Sequence, residues 1–119
     1  MKFTRSFFSE TDDTGGLSLN AATTGTGTAI NFYDCRQVNW WVEGAGTISG
    51  GALVIESARR STYSGTWHEI DAITASDLTG GKGYGGTFPF VPGGYLRARV
   101  SETIAGGGTV TVYLNGLQN

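Results

Sequence analysis

The chain is short of the residues that most function classes depend on. Cys35 is its one cysteine among 119 residues, so no internal disulfide can form. There are two prolines, one histidine (His68) and two lysines (Lys2 and Lys82). The opening Met-Lys-Phe-Thr-Arg lacks the apolar stretch of a secretory signal, and no apolar run approaches the length of a membrane span. Synthesis and folding in a reducing cytoplasm are therefore expected. A net charge of −2 gives no electrostatic reason to bind nucleic acid or an anionic membrane. No Asn-x-Ser/Thr glycosylation acceptor occurs.

Catalytic sets are missing as well. His68 is followed by Glu69, and on a strand the two side chains point to opposite faces; no nucleophile completes a set around them. Glu69 and Asp71 share a face in an unbroken strand, but two carboxylates alone make a poor site for a hard cation. Residues 81–86 (GKGYGG) match G-x-G-x-x-G as letters only. No helix pattern follows them, Pro89 comes soon after, and Lys82 is not followed by Ser or Thr. Residues 80–86 are expected to form a flexible loop. Cys35 has no histidine near it and reads as a small, partly buried thiol. No enzyme, cofactor or metal is expected.

Glycine (20 residues), threonine and aromatics dominate instead, a balance that favours strands joined by glycine turns over helices. Alternation predicts strands near 29–35, 37–43, 51–57, 66–74 and 87–91, with another at 2–9. Pro89 has no amide hydrogen, so its strand belongs at an edge or bulge. Residues 95–114 (YLRARVSETIAGGGTVTVYL) carry the clearest pattern. Leu96, Ala98 and Val100 alternate with Tyr95, Arg97 and Arg99; Val110, Val112 and Leu114 alternate with Thr109, Thr111 and Tyr113. The two arms read as one long hairpin closed by Gly106, Gly107 and Gly108, with Ile104 opposite Val110.

Trp40 and Trp41 are adjacent, so one faces the core and the other does not. Val38, Trp40 and Val42 form the apolar set, which turns Trp41 outward beside Asn39 and Glu43. Trp41, Tyr95, Arg97, Arg99, Thr111 and Tyr113 are the interface candidates, because Trp, Tyr and Arg on outward faces are enriched where proteins meet. Residues 9–28 are polar, rich in Gly and Thr and broken only by Leu17 and Leu19; they are expected to be an N-terminal arm or long loop, with at most one small strand. The whole, residues 1–119, is expected to be a single all-β domain. Seven or eight short strands imply an antiparallel β-sandwich, jelly-roll-like in preference to immunoglobulin-like.

Residues 46–58 (GTISGGALVIESA), 63–67 (YSGTW) and 95–116 (YLRARVSETIAGGGTVTVYLNG) resemble small all-β virion proteins of tailed bacteriophages. The resemblance runs from about residue 38 to residue 116 and contains no catalytic motif. It implies a capsid decoration (cement) protein that bridges capsid subunits, or less often a head-fibre or tail component. The implied partners are the major capsid protein or other virion proteins, and the implied location is the virion. Jelly-roll cement proteins suggest a homo-oligomer, a trimer in preference. The competing reading is a carbohydrate-binding module with Trp41, Tyr63 or Trp67 as stacking platforms and Asn39, Glu69 or Asp71 as hydrogen-bond partners.

Overall fold

Eight strands make two four-stranded antiparallel sheets in the computed structural model, which describes residues 15–89 and 93–118. The strands are β1 (Gly15–Ala21), β2 (Ile30–Asn31), β3 (Cys35–Ala45), β4 (Gly50–Ala58), β5 (His68–Thr74), β6 (Gly83–Phe88), β7 (Tyr95–Ala105) and β8 (Thr109–Gln118). A single 3₁₀ turn, Ala75–Leu78, follows β5, and no α-helix occurs among the described residues. The strand expected at residues 2–9 lies outside the described residues.

One sheet (sheet A) has the order β1-β8-β3-β6, the other (sheet B) β2-β7-β4-β5. The pairs β4–β5, β3–β6, β2–β7 and β1–β8 are nested, each closing around the one inside it. A long antiparallel ribbon rolled on itself gives this pattern, and rolling brings β3 onto β8 and β4 onto β7. That is jelly-roll topology. The core lies between the sheets. Val38, Trp40 and Val42 of β3 and Val110, Val112 and Leu114 of β8 face Leu53 and Ile55 of β4 and Leu96 and Ala98 of β7 across it. Trp40 points inward as expected, and stacks on Phe88 at 6.3 Å.

The hairpin expected over residues 95–114 does not form. β7 belongs to sheet B and β8 to sheet A, so Ile104 and Val110 are not cross-strand partners; Val110 pairs with Ala21 and Gly44. Alternation fixes which face of a strand is buried, and two strands on opposite sides of one core satisfy it as well as a hairpin does. The glycines carry the chain from one sheet to the other. Gly106 and Gly107 have φ of +106° and +89°, and a Cβ on Gly106 would sit 2.7 Å from the Thr47 carbonyl and the Ser49 amide.

Residues 15–28 of the expected arm are built into the body, while 9–14 lie outside the described residues. Gly15–Ala21 is β1, with Leu19 and Ala21 buried against the core. From there the chain crosses to sheet B and runs along β7 as an irregular edge. The Val100 amide donates to the Gly25 carbonyl, the Ile104 amide to the Thr23 carbonyl and the Gly27 amide to the Ala98 carbonyl. Ser18 ties the two sheets at this edge, accepting from the Ala98 amide at 3.0 Å and donating to the Thr28 carbonyl at 3.1 Å. Polar composition here reflects an edge satisfied by backbone hydrogen bonds rather than a solvated loop.

The glycine-rich loop expected at 80–86 is half strand. Gly83, Gly85 and Gly86 belong to β6, the edge of sheet A, and Pro89 lies just beyond the strand's last residue. Glycine there makes room for neighbours. A Cβ on Gly86 would lie 2.7 Å from the Trp40 indole nitrogen, and one on Gly83 would lie 2.7 Å from Cζ2 of Trp41.

Candidate functional site: the outer faces of the two sheets

The six interface candidates fall into two groups on opposite sides of the sandwich. Trp41, Thr111 and Tyr113 lie on the outer face of sheet A; Tyr95, Arg97 and Arg99 lie on β7, on the outer face of sheet B. They form no single patch. The reason is the topology just described, which separates β7 from β8.

On sheet B the arginines are engaged by the chain itself. Glu56 of β4 pairs across the strands with Arg97 and is only 2% exposed. Its carboxylate accepts from Nε of Arg97 at 2.7 Å and from Nε of Arg99 at 3.1 and 3.2 Å, and Nη2 of Arg99 lies 3.1 Å away. The Arg97 guanidinium also lies 3.9 Å from the centroid of the Trp67 ring. Trp67 ends the long β4–β5 connection, is buried, and donates its indole N–H to the Tyr63 carbonyl at 2.9 Å. A buried carboxylate is tolerable only with such partners, since removing them would leave its charge uncompensated. Tyr95 is held edge-on by Tyr33, with ring centroids 6.0 Å apart. This face is internally satisfied.

Sheet A differs. On its outer side β3 pairs Asn39 with Asn115, Trp41 with Tyr113 and Glu43 with Thr111; β6 sets Thr87, Gly85 and Gly83 beside the same three β3 residues. The Trp41 indole spans Gly83 and Gly85. Cζ2 lies near the Cβ position of one, Cε3 near that of the other, and the indole N–H donates to Glu43 at 3.0 Å. The ring is thereby spread over bare backbone and remains half-buried, as does Tyr113 opposite it. Asn39 is 7% exposed; its Oδ1 accepts from Thr87 at 2.9 Å and Gln37 at 3.4 Å, while its Nδ2 is buried with no hydrogen-bond partner. A buried amide donor without an acceptor is uncommon in folded proteins and demands a reason.

The remaining candidates are less organised. His68 and Glu69 are both exposed. A bulge at Ile70 breaks the alternation that would place Glu69 and Asp71 together, and Asp71 accepts from the Ala72 amide. Among the described residues no group of three or more His, Cys, Asp or Glu could hold a metal ion. Nor is any helix there long and apolar enough to cross a membrane. Burial, and after it the charge of Asp34, raises the Cys35 thiol above its ordinary pKa. Of the stacking platforms considered, Trp67 is withdrawn under Arg97, whereas Tyr63 is 37% exposed. Sequence reasoning missed Glu56. Its only signal is an acid in the run GALVIES, where both faces must be covered.

No protein-family model matches the chain, and no curated protein does. Solved structures do. The SPBc2 prophage-derived protein YomS superposes with a TM-score of 0.51 at 11% identity, over 87% of this chain and 94% of that one. The likeness is one of fold. A phage-derived protein thus shares this sandwich. BiXyn10A CBM1 in its apo form gives a TM-score of 0.39 at 14% identity, covering 100% of this chain and 95% of that one. A CBM4 structure gives 0.34 at 9%, covering 87% and 67%.

Proposed function

We propose that this chain is a non-enzymatic structural protein of a bacteriophage virion, docking on a capsid subunit through the outer face of sheet A. One observation carries the choice of face. Around the Trp41–Tyr113 pair an aromatic ring is spread on glycine backbone and left half-buried, with a second half-buried aromatic beside it. A partner that covers the half-buried ring gains apolar burial there. The sequence resemblance to phage virion proteins and the fold shared with YomS support the setting. Decoration by a trimer that bridges capsid subunits is the form this takes.

Co-sedimentation with capsid shells tests the reading. Wild-type protein should pellet with shells, and Trp41→Ala/Tyr113→Ala should stay in the supernatant while keeping its melting temperature within a few degrees. Pelleting that is unchanged in the double variant would remove sheet A from the interface. Charge reversal at Arg97 and Arg99 is a poor docking test, because it disrupts Glu56 first.

The Trp41 geometry also favours a second reading, a carbohydrate-binding module. A flat indole backed by glycine and pinned at its N–H presents the kind of surface on which a sugar ring stacks. Quenching of tryptophan fluorescence by a neutral polysaccharide, lost in Trp41→Ala, would favour it over docking.

A further inference from the structure

The β4–β5 connection borders an open cavity of about 380 Å³, well away from the Trp41 face. It is lined by Ser57, Ala58, Arg59, Arg60, Tyr63, Thr66 and His68, with no carboxylate among them. The nearest buried acid on β4, Glu56, is already engaged by Arg97 and Arg99. The guanidinium groups of Arg59 and Arg60 make no ion pair or hydrogen bond among the described residues. Two cations at one opening with no acidic partner among the described residues are notable in a chain of net charge −2.

The cavity is anchored. Ser57 and Ala58 are buried strand residues, and Ser57 pairs with His68 across the sheet. Buried Trp67 holds the Tyr63 carbonyl, and the Tyr63 amide donates to the Arg60 carbonyl, so the loop has a fixed frame. The Tyr63 ring rests against Gly65, where a Cβ would overlap its hydroxyl end, and it contributes to the cavity wall.

We infer that this cavity is a binding site for an acidic sugar. Its oxyanion is taken by Arg59 and Arg60, its ring packs on Tyr63, and its hydroxyls meet Thr66 and His68. Guanidinium groups suit the planar oxygens of a carboxylate or phosphate. The volume falls within the range of small-molecule sites and exceeds what a bare inorganic anion fills. An aromatic wall beside polar groups fits a ring carrying hydroxyls. The site is independent of docking through sheet A, and either can fail without the other.

Calorimetric titration of the full chain at fixed ionic strength tests it, with glucuronate, glucose 6-phosphate, glucose and inorganic phosphate as probes. Glucuronate or glucose 6-phosphate should bind at least about tenfold more tightly than glucose, since charge-assisted hydrogen bonds supply that margin. Which of the two wins tells carboxylate from phosphate. Arg59→Ala/Arg60→Ala should lower that affinity by at least about tenfold with an unchanged melting temperature, because both side chains are exposed. Gly65→Ala should lower it too, by displacing the Tyr63 ring. Equal binding of glucose, equal binding of inorganic phosphate, no binding at all, or indifference to the double variant would each overturn the proposal. So would displacement of glucuronate by a hexaglutamate peptide at lower concentration, which would assign the cavity to an acidic segment of a protein partner.

Discussion

The two outer faces of this sandwich carry similar residue types and put them to different uses. On sheet B, Arg97, Arg99 and Trp67 close over Glu56, and each guanidinium is engaged by the same buried carboxylate. On sheet A, Trp41 lies half-buried over glycine backbone with half-buried Tyr113 opposite it, beside an amide donor with no acceptor. Arginine and tryptophan mark an interface only where their own chain has not already consumed them. Composition makes the faces look alike, and hydrogen-bond accounting separates them.

The largest expected effect breaks sheet B. Arg97→Ala/Arg99→Ala leaves Glu56 buried without a counter-charge, and should cost about 3–5 kcal/mol in urea unfolding. A loss below about 1 kcal/mol would mean that water reaches the carboxylate, and the contrast between the faces would vanish. Next comes Trp41→Ala, which should weaken docking on capsid shells by about 2 kcal/mol or more, some thirtyfold, as a central aromatic contact does. Trp67→Ala should leave shell binding unchanged, and the pair of measurements sharpens the comparison. Gly85→Ala should cost about 1–3 kcal/mol, because its Cβ would press on the Trp40 carbonyl and on Cε3 of Trp41. Smallest is the thiol. Burial and Asp34 raise the pKa of Cys35, so alkylation by iodoacetamide at pH 8 should be slower than for a free cysteine, and Asp34→Asn should speed it modestly.

Much of the sandwich was legible in the chain. The β3, β4 and β5 positions, the inward Trp40 and outward Trp41, and Pro89 beside an edge strand all follow from alternation and from a missing amide hydrogen. What alternation does not encode is the partner. Leu96, Ala98 and Val100 had to face apolar side chains, but those of β8 lie across the core rather than alongside. Gly83, Gly85 and Gly86 read as a loop because their strand role depends on two indoles contributed by β3. Residues 15–28 read as an arm because their partners lie on β7 and β8, far along the chain. Of the candidate site, Trp41 and Tyr113 emerged as a facing pair; that Arg97 and Arg99 are engaged within the chain was not legible, because their partner Glu56 lies some forty positions away.

Nested pairing also orders the chain's route to this structure. β4 and β5 close across residues 59–67, which carry Arg59, Arg60 and Tyr63, whereas β1 and β8 must find each other from the far ends of the described chain. Closing a short loop loses less chain entropy than closing a long one, and distant pairings slow folding. The ribbon should therefore zip from its β4–β5 end outward, framing the arginine-lined hollow early and spreading Trp41 over β6 later. Slow refolding of sheet A, with hydrogen exchange protecting β4 and β5 first, would be its kinetic signature.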